Sequence, residues 1–409
     1  MSETNQISCK NCFYKNKTDM NLFFDERGYC TGCQNAEFAK KNINWEKRLE
    51  DLKNLFDQNK NEDSKYDVLI GVSGGKDSYF QTHLCKNILG LNPLLVTYYG
   101  NNYTDDGEYN LRRMKEVFKC DHIIYKPDTD VLIKMNILGF YLQGDMNWHN
   151  HCGIMTYPIQ QAVKNKIKII FWGEHGYMDR SGMFSYDDYV EFTKKNRKEH
   201  DLRGFDWYDF TDEGLEKRGL DKLKMGLADK DLEWAMYPSD NEIFNVGVRG
   251  IYAQNYVYWD GNENAKISEK LYGWRKYSKF FQRTYRKISN LDDMHENGAH
   301  DYLKFIKFGY GRGTDHSTKD IRLGYMNREE GLEMIKKYDH VRPTIDLERW
   351  FKYTKISEND FNIYSDKFRD PRIWYIKNNK WFKINTWGGE SCFGEVYLSK
   401  EEQKKYIRQ

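Results

Sequence analysis

The sequence predicts an α/β fold, a doubly wound parallel sheet with a small cysteine-rich module before it and a mostly helical region after it. Three observations predict this. From residue 66 short apolar runs alternate with helical patterns, the order that a parallel sheet with crossover helices needs. Before residue 40 the cysteines come as two C-x2-C pairs. Beyond residue 180 the apolar runs give way to long segments with helical spacing.

Taken in order, CKNC (Cys9, Cys12) and CTGC (Cys30, Cys33) form C-x2-C-x17-C-x2-C, the spacing of a four-thiolate zinc site. All four positions are cysteine, so no coordination position stays open and the role is structural; an iron-bound form and a redox pair are the alternatives. NWEKRLEDLKNLFDQNK (44–60) carries Trp45, Leu49, Leu52, Leu55 and Phe56 at helical spacing and reads as a linker. YDVLIGV reads as the first strand, DSYFQTHLCKNILG as a helix closing at Gly90, PLLVTYY as the second strand, GEYNLRRMKEVFKC as a helix and HIIYKP as the third strand. After an irregular stretch, PIQQAVKN and KIKIIFWGE read as a helix and a fourth strand. Further on, YDDYVEFTKKNRKEHDL, ISEKLYGWRKYSKFFQRTYRKI, NREEGLEMIKKYDH and SENDFNIYSDKFR read as helices. The expected organisation is a cysteine module at 1–43, a linker at 44–64, a sheet domain at 65–180 and a helical substrate-binding region at 181–409.

Bulk properties narrow the function. Hydrophobic residues make up 39% and charged residues 31%, enough for a packed core. Lys plus Arg (64) nearly equals Asp plus Glu (62), which argues against nucleic acid and anionic membrane as partners. No stretch approaches the roughly 20 apolar residues of a membrane span, and the opening MSETNQISCK has no apolar signal core. The expected location is cytoplasmic, where thiols stay reduced. Cys85 and Cys120 then read as buried apolar residues on helices, while Cys152 stands out by following two histidines in NWHNHCG.

The chemistry centres on GVSGGKDS, residues 71–78, between the first strand and its helix. Backbone N–H groups and a helix N-terminus converge there, an arrangement that binds phosphate. Gly74 and Gly75 permit close approach, Ser73 and Ser78 supply hydroxyls, Lys76 a positive charge and Asp77 a carboxylate for magnesium. The spacing is neither that of a Walker loop nor G-x-G-x-x-G. It resembles the PP-loop of the ATP pyrophosphatases, which hold the β,γ-pyrophosphate and expose the α-phosphate to a substrate oxygen. The fold expectation is therefore of PP-loop (HUP-like) type.

The cysteine module with FDERGYCTGC, the loop SGGKDS, the stretch GRGTDHSTKDIR and SDKFRDPRIW together resemble the N-acetyl sugar amidotransferases, which include pseudaminic acid and O-antigen biosynthesis proteins. The resemblance runs from residue 9 to 375; FYKNKTDMNLF after Cys12 departs from the aspartate-serine pattern expected there. It implies that ATP, with Mg2+, adenylates the acetamido oxygen of a bacterial surface-glycan sugar, a nonulosonic acid or O-antigen sugar. Ammonia then displaces AMP to leave an acetamidino group. The chain shows no glutaminase domain, so the ammonia is free or comes from a separate glutaminase protein.

Site candidates follow from position along the chain. The nucleotide would lie against Gly71, Val72, Ser73, Gly74, Gly75, Lys76, Asp77 and Ser78, with Tyr98 and Gly173 at the ends of the second and fourth strands. Lys76, Asp77, Glu174 and His151 are the catalytic candidates, Glu174 because WGEHGYMD follows a strand end. His149, Cys152, Trp259, Asp260, Arg312, Asp315, His316, Asp320 and Arg322 are the substrate-binding candidates; an arginine there would clamp a carboxylate or phosphate, and Trp259 would stack on a sugar ring. The plain alternatives are a solvated loop carboxylate for Glu174, structural histidines at 149 and 151, and a helix cap at Asp315 and His316, the helix starting at Ser317. The rival function is tRNA thiolation by a PP-loop sulfurtransferase, disfavoured by the lack of a third C-x2-C and by a net charge of +2. A zinc-knuckle binding module with an inactive nucleotide domain is the third class, opposed by the intact Ser73, Lys76, Asp77 and Ser78.

Overall fold

Val68, Leu69 and Ile70 lose all contact with solvent in the computed structural model, as an apolar run in the middle of a sheet must. The structure describes residues 7–16, 20, 22–100, 102–288 and 294–407. The first six residues of MSETNQISCK, and residues 17–19 and 21 of the first cysteine segment, lie outside the described residues.

Six strands make the main sheet: β1 (Val68–Gly71), β2 (Pro93–Tyr98), β3 (Asp121–Tyr125), β4 (Ile169–Trp172), β5 (Glu191–Phe192) and β6 (Arg249–Tyr252). Their order is β3-β2-β1-β4-β6-β5, all parallel except β5, which runs antiparallel to β6. The fold is the doubly wound α/β sheet that the β-α rhythm predicts. Central β2 and β4 are buried along their whole length, whereas edge strand β3 stays partly exposed. The order reverses between β1 and β4, so the loops leaving those two strands diverge and open a crevice at their carboxyl ends.

Leu52 and Phe56 of the Trp45–Gln58 helix, expected from their spacing, insert into the core beside Ile70 and Phe171. Each such side chain, fully buried, contributes about 1.5–3 kcal/mol. Among the described residues no helix is long and apolar enough to cross a membrane.

Five expectations need correction. The stretch before PIQQAVKN is not irregular: it forms helices Thr129–Gln143 and Trp148–Lys164. The first spreads its apolar residues around most of its circumference, so it shows little amphipathic period; the second runs through Pro158, which reads in sequence as a helix start. YDDYVEFTKKNRKEHDL is not a helix, because Glu191–Phe192 pairs with β6 and only one wide turn, Asn196–Asp201, follows. ISEKLYGWRKYSKFFQRTYRKI is helical only to Tyr272; Gly273 takes φ +66° and the chain then runs irregularly along the loop after β1. Near the C-terminus, β7 (Trp374–Lys377), β8 (Lys380–Ile384) and β9 (Glu390–Glu395) form an antiparallel sheet within a region expected to be mostly helical. Cys120, expected on a helix, lies just past the end of Asp105–Phe118 and is buried, as is Cys85.

Candidate active site

The loop 71–78 leaves β1 directly into the Lys76–His83 helix, whose cap Gly75 offers no side-chain bond to the first turn. Those N–H groups point into the crevice, as an anion site needs. The Ser73 N–H donates to the Ser78 hydroxyl at 3.0 Å, and Thr97 holds the Val72 carbonyl at 2.6 Å. Gly74 takes φ +90°, and a Cβ there would stand 2.7 Å from the Leu111 backbone nitrogen, so only glycine fits. Its carbonyl accepts the Trp274 indole N–H at 3.0 Å. Gly71 lies beside the Trp172 ring. Lys76, only 2% exposed, extends to Asp77 at 2.7 Å; Asn264 donates to the other Asp77 oxygen at 3.3 Å, and the Ser268 hydroxyl reaches the Lys76 carbonyl at 3.3 Å.

Across the crevice, Gly173 and Glu174 follow β4. Lys319 reaches Glu174 at 2.6 Å and Asp179 at 3.7 Å. Burial raises the Glu174 pKa against the pull of Lys319, and the neighbouring Asp179 carboxylate raises it further. Burial also lifts Asp179, but Lys319 and Arg322 outweigh it and hold Asp179 low. Burial opposes the Lys319 charge, yet Asp179 and Glu174, with Asp77 adding to them, keep it protonated.

Lys319 comes from the Arg312–Leu323 helix. This helix begins at Arg312, not at Ser317, so Asp315 and His316 lie in its first turn rather than at its cap. Arg312, Asp315, His316, Lys319 and Arg322 then share one face. Arg312 pairs with Asp301 (2.5 Å), which also takes Arg283 (2.7 Å). Asp315 accepts from Tyr14 (2.7 Å) and pairs with Lys304; burial raises it, but Lys304, Arg180 and Arg312 hold it well below the usual carboxylate range. His316 bonds Thr284 at 2.6 Å, and burial followed by the charges of Arg286, Arg312, Arg283 and Lys319 keeps it neutral. Asp320, one turn beyond His316, pairs with Arg286 and accepts from the Tyr285 hydroxyl.

Arg322 does not face the crevice as a substrate clamp. Its guanidinium lies against the Cys33 and Cys30 sulfurs, both at 3.3 Å, and bonds the Asp179 and Arg180 carbonyls. Gly32 leaves room for it, since a Cβ there would fall 2.4 Å from the guanidinium. The four sulfurs of Cys9, Cys12, Cys30 and Cys33 lie within 4.8 Å of one another. Cys9–Cys33 is 3.9 Å and Cys12–Cys30 is 3.7 Å, close to the edge of about 3.8 Å that four sulfurs make around a tetrahedral ion at about 2.3 Å. Bonds from Cys12, Cys30 and Cys9 lower the Cys33 thiol pKa, and the Arg322 charge adds to this. The module is also tied to the loop after β4 by Thr31 to the Ser181 carbonyl (2.5 Å) and Asn35 to that of Phe184 (2.7 Å).

The other candidates are dispersed. Trp259 is buried under Gly173, edge-on to Phe80 at 5.6 Å, so no face is open to a sugar. Asp260 caps the Gly261–Tyr272 helix through the N–H groups of Asn262 (2.9 Å) and Glu263 (3.3 Å). Tyr98 is buried, its hydroxyl 3.2 Å from His149 Nδ1. His149, also buried, stands 3.8 Å from Glu296. Cys152 sits in the core beside Arg197 and Ala235, and burial raises its thiol pKa. His151 stands 3.8 Å from Asp145, which accepts from His300 at 2.8 Å and faces Arg203 at 3.5 Å; burial lowers the His151 pKa to about 4. These histidines lie on the first turn of the Trp148–Lys164 helix, not on an irregular segment. Sequence reasoning missed Lys319, Asp179, Asn264 and Trp274. Lys319 was open to it, three residues after His316 and three before Arg322 on a helix started at Arg312.

Residues 274–387 match the family model described as LPS biosynthesis protein WbpG-like, C-terminal domain. This WbpG-like segment contains both GRGTDHSTKDIR and SDKFRDPRIW, on which the family resemblance most depended, and it supplies Trp274 and Lys319 to the crevice. A stretch of 126 residues, 31% of this chain, is 26% identical to an uncharacterized protein of Methanocaldococcus jannaschii and covers 45% of it, so the chain spans less than half the length of that curated relative. Two solved structures are similar to parts of the chain. One is the NH3-dependent NAD synthetase from Campylobacter jejuni in complex with the nitrate ion, at 16% identity over 50% of this chain and 92% of that one, TM-score 0.27. The other is NMN synthetase from Francisella tularensis, at 17% identity over 58% and 99%, TM-score 0.29.

Proposed function

We propose that this protein is an ATP-dependent amidotransferase of lipopolysaccharide biosynthesis that converts an acetamido group of a surface-glycan sugar into an acetamidino group. The observation that carries the reading is that two ion pairs, Lys76–Asp77 on the glycine loop and Lys319–Glu174 after β4, with Lys319 from the WbpG-like segment, lie near enough across the point where the strand order reverses for the Asp77 charge to act on Lys319.

In this reading the loop N–H groups and Lys76 hold the β,γ-pyrophosphate of ATP. Asp77, now engaged by Lys76 and Asn264, is the carboxylate suited to the Mg2+ that ATP carries, once Lys76 turns to the phosphates. The acetamido oxygen attacks the α-phosphorus, the bond to pyrophosphate breaks, and an O-adenylyl imidate forms. Ammonia then adds to the imidate carbon, the carbon–oxygen bond breaks and AMP leaves. Glu174, its pKa raised by burial, accepts the proton that ammonia sheds. Lys319 offsets charge on the leaving phosphates. The four cysteines hold zinc as a structural ion, and Arg322 balances the negative charge of the thiolates while tying them to the Lys319 helix. The ammonia is free or delivered by a partner glutaminase.

Incubating the protein with ATP, Mg2+, ammonium and a panel of acetamido sugars tests this. AMP and pyrophosphate should form only with the right sugar, whose mass falls by the exchange of O for NH. AMP formed only with tRNA and a sulfur donor would refute the reading.

A further inference from the structure

The cysteine module, the turn at Gly309 and the C-terminal sheet enclose a cavity of about 80 Å³ lined by Tyr14, Lys15, Phe308, Tyr310, Lys383 and Thr386, among others. Lys383 projects from β8 and is only 5% exposed. Its ammonium reaches just the Ile384 carbonyl, at 3.4 Å, and stands 5.2 and 5.7 Å from the Phe393 and Phe305 rings. Among the described residues no carboxylate pairs with it. The acid that acts on it, Asp339, already accepts from the Thr314 N–H at 2.7 Å and hydroxyl at 2.5 Å. Arg372, also at the cavity, is engaged by Asp370, and Lys15 adds a second positive charge to the lining. Burial lowers the Lys383 pKa to about 8; Asp339 opposes this and Lys15 adds to it, while His340 is in turn lowered by burial and by Lys383.

A buried ammonium without a counter-ion is costly, and folds keep one where a ligand supplies the missing charge. We propose that this cavity is a binding site for a compact oxyanion, the head group of a phosphate or carboxylate, seated on Lys383. The cavity has room for such an anion. The site does not depend on the amidotransferase reading, but it adjoins the same machinery. Tyr14, in its wall, donates to Asp315, and Tyr310 accepts from Arg180 at 2.8 Å. Asp315 lies one helical turn, about 6 Å, from Lys319.

Calorimetric titration of the whole protein with inorganic phosphate, and separately with acetate, tests the proposal in the wild type, Lys76→Ala, Lys383→Met and Thr386→Glu. The expected result is an anion-binding event that survives Lys76→Ala and weakens at least tenfold in Lys383→Met. Thr386→Glu, which puts a carboxylate into the cavity wall and leaves Lys383 in place, should weaken it as well. The stronger of the two anions names the head group. Absence of binding to the wild type at millimolar concentrations overturns the proposal. So does binding that is lost in Lys76→Ala and unchanged in Lys383→Met, which would place the anion on the loop. If Lys383→Met does not fold, unchanged binding in Thr386→Glu overturns it.

Discussion

Two buried groups of acids and cations in this fold differ in what they leave over. Across from the glycine loop, Glu174 pairs with Lys319, which Asp179 also draws on together with Arg322, so Glu174 is the less compensated carboxylate and is raised. At the start of the Trp148–Lys164 helix, Asp145 instead receives His300 at 2.8 Å, Arg203 at 3.5 Å and the Asn147 N–H at 3.0 Å, and His151 stays neutral beside it. Burial and perturbed acidity are common to both. Only the first group has a proton-accepting carboxylate left over, and only it faces the loop. Incomplete compensation next to a ligand-binding turn, rather than burial alone, distinguishes chemistry from structure here.

The largest effect is expected at Lys76, on the loop that the first group faces. Lys76→Ala should cut sugar-dependent AMP release about 100- to 1,000-fold, the cost of removing one preorganised charge from a transition state. Glu174→Gln should slow amidination roughly 100-fold; rapid-quench analysis should find the adenylylated sugar accumulating, and an unchanged rate would remove Glu174 from the mechanism. Arg322→Met should weaken metal retention by about 10-fold or more against a chelator, read as metal content after dialysis. His300→Ala, in the second group, should leave AMP release near wild type while costing about 1–3 kcal/mol in urea unfolding, because Asp145 loses a partner. The smallest effect concerns pH. His151 and His175 both have pKa values lowered by burial to about 4, so the unfolded chain binds protons near pH 6.5 that the folded chain refuses. Stability should therefore fall as pH drops from 6.5 to 4, and His151→Asn should flatten that slope.

Much of this was legible in the sequence. The continuous apolar runs of β1, β2 and β4 mark buried parallel strands, and the loop follows the first of them, so its place at the crevice could be read directly. The C-x2-C pairs likewise lead to four converged sulfurs. The Thr129–Gln143 helix could not be seen, since apolar residues spread around most of its circumference leave little period to detect. Arg322 was misread because its partner Cys33 lies 289 residues away in the chain. Trp259 and Asp260 look like sugar contacts as residue types, but tertiary packing places one in the core and the other on a helix cap. Lys319 was hidden by a helix start placed five residues late, which turned it off the face it shares with Arg312 and His316.

In the proposed reaction the acetamido oxygen attacks the α-phosphate held at the loop. The direct measurement uses a substrate sugar labelled with 18O in its acetamido group and follows the label by mass spectrometry. The AMP formed should carry one 18O in its phosphate, and the amidino product none. Unlabelled AMP, or 18O retained in the sugar product, would contradict it.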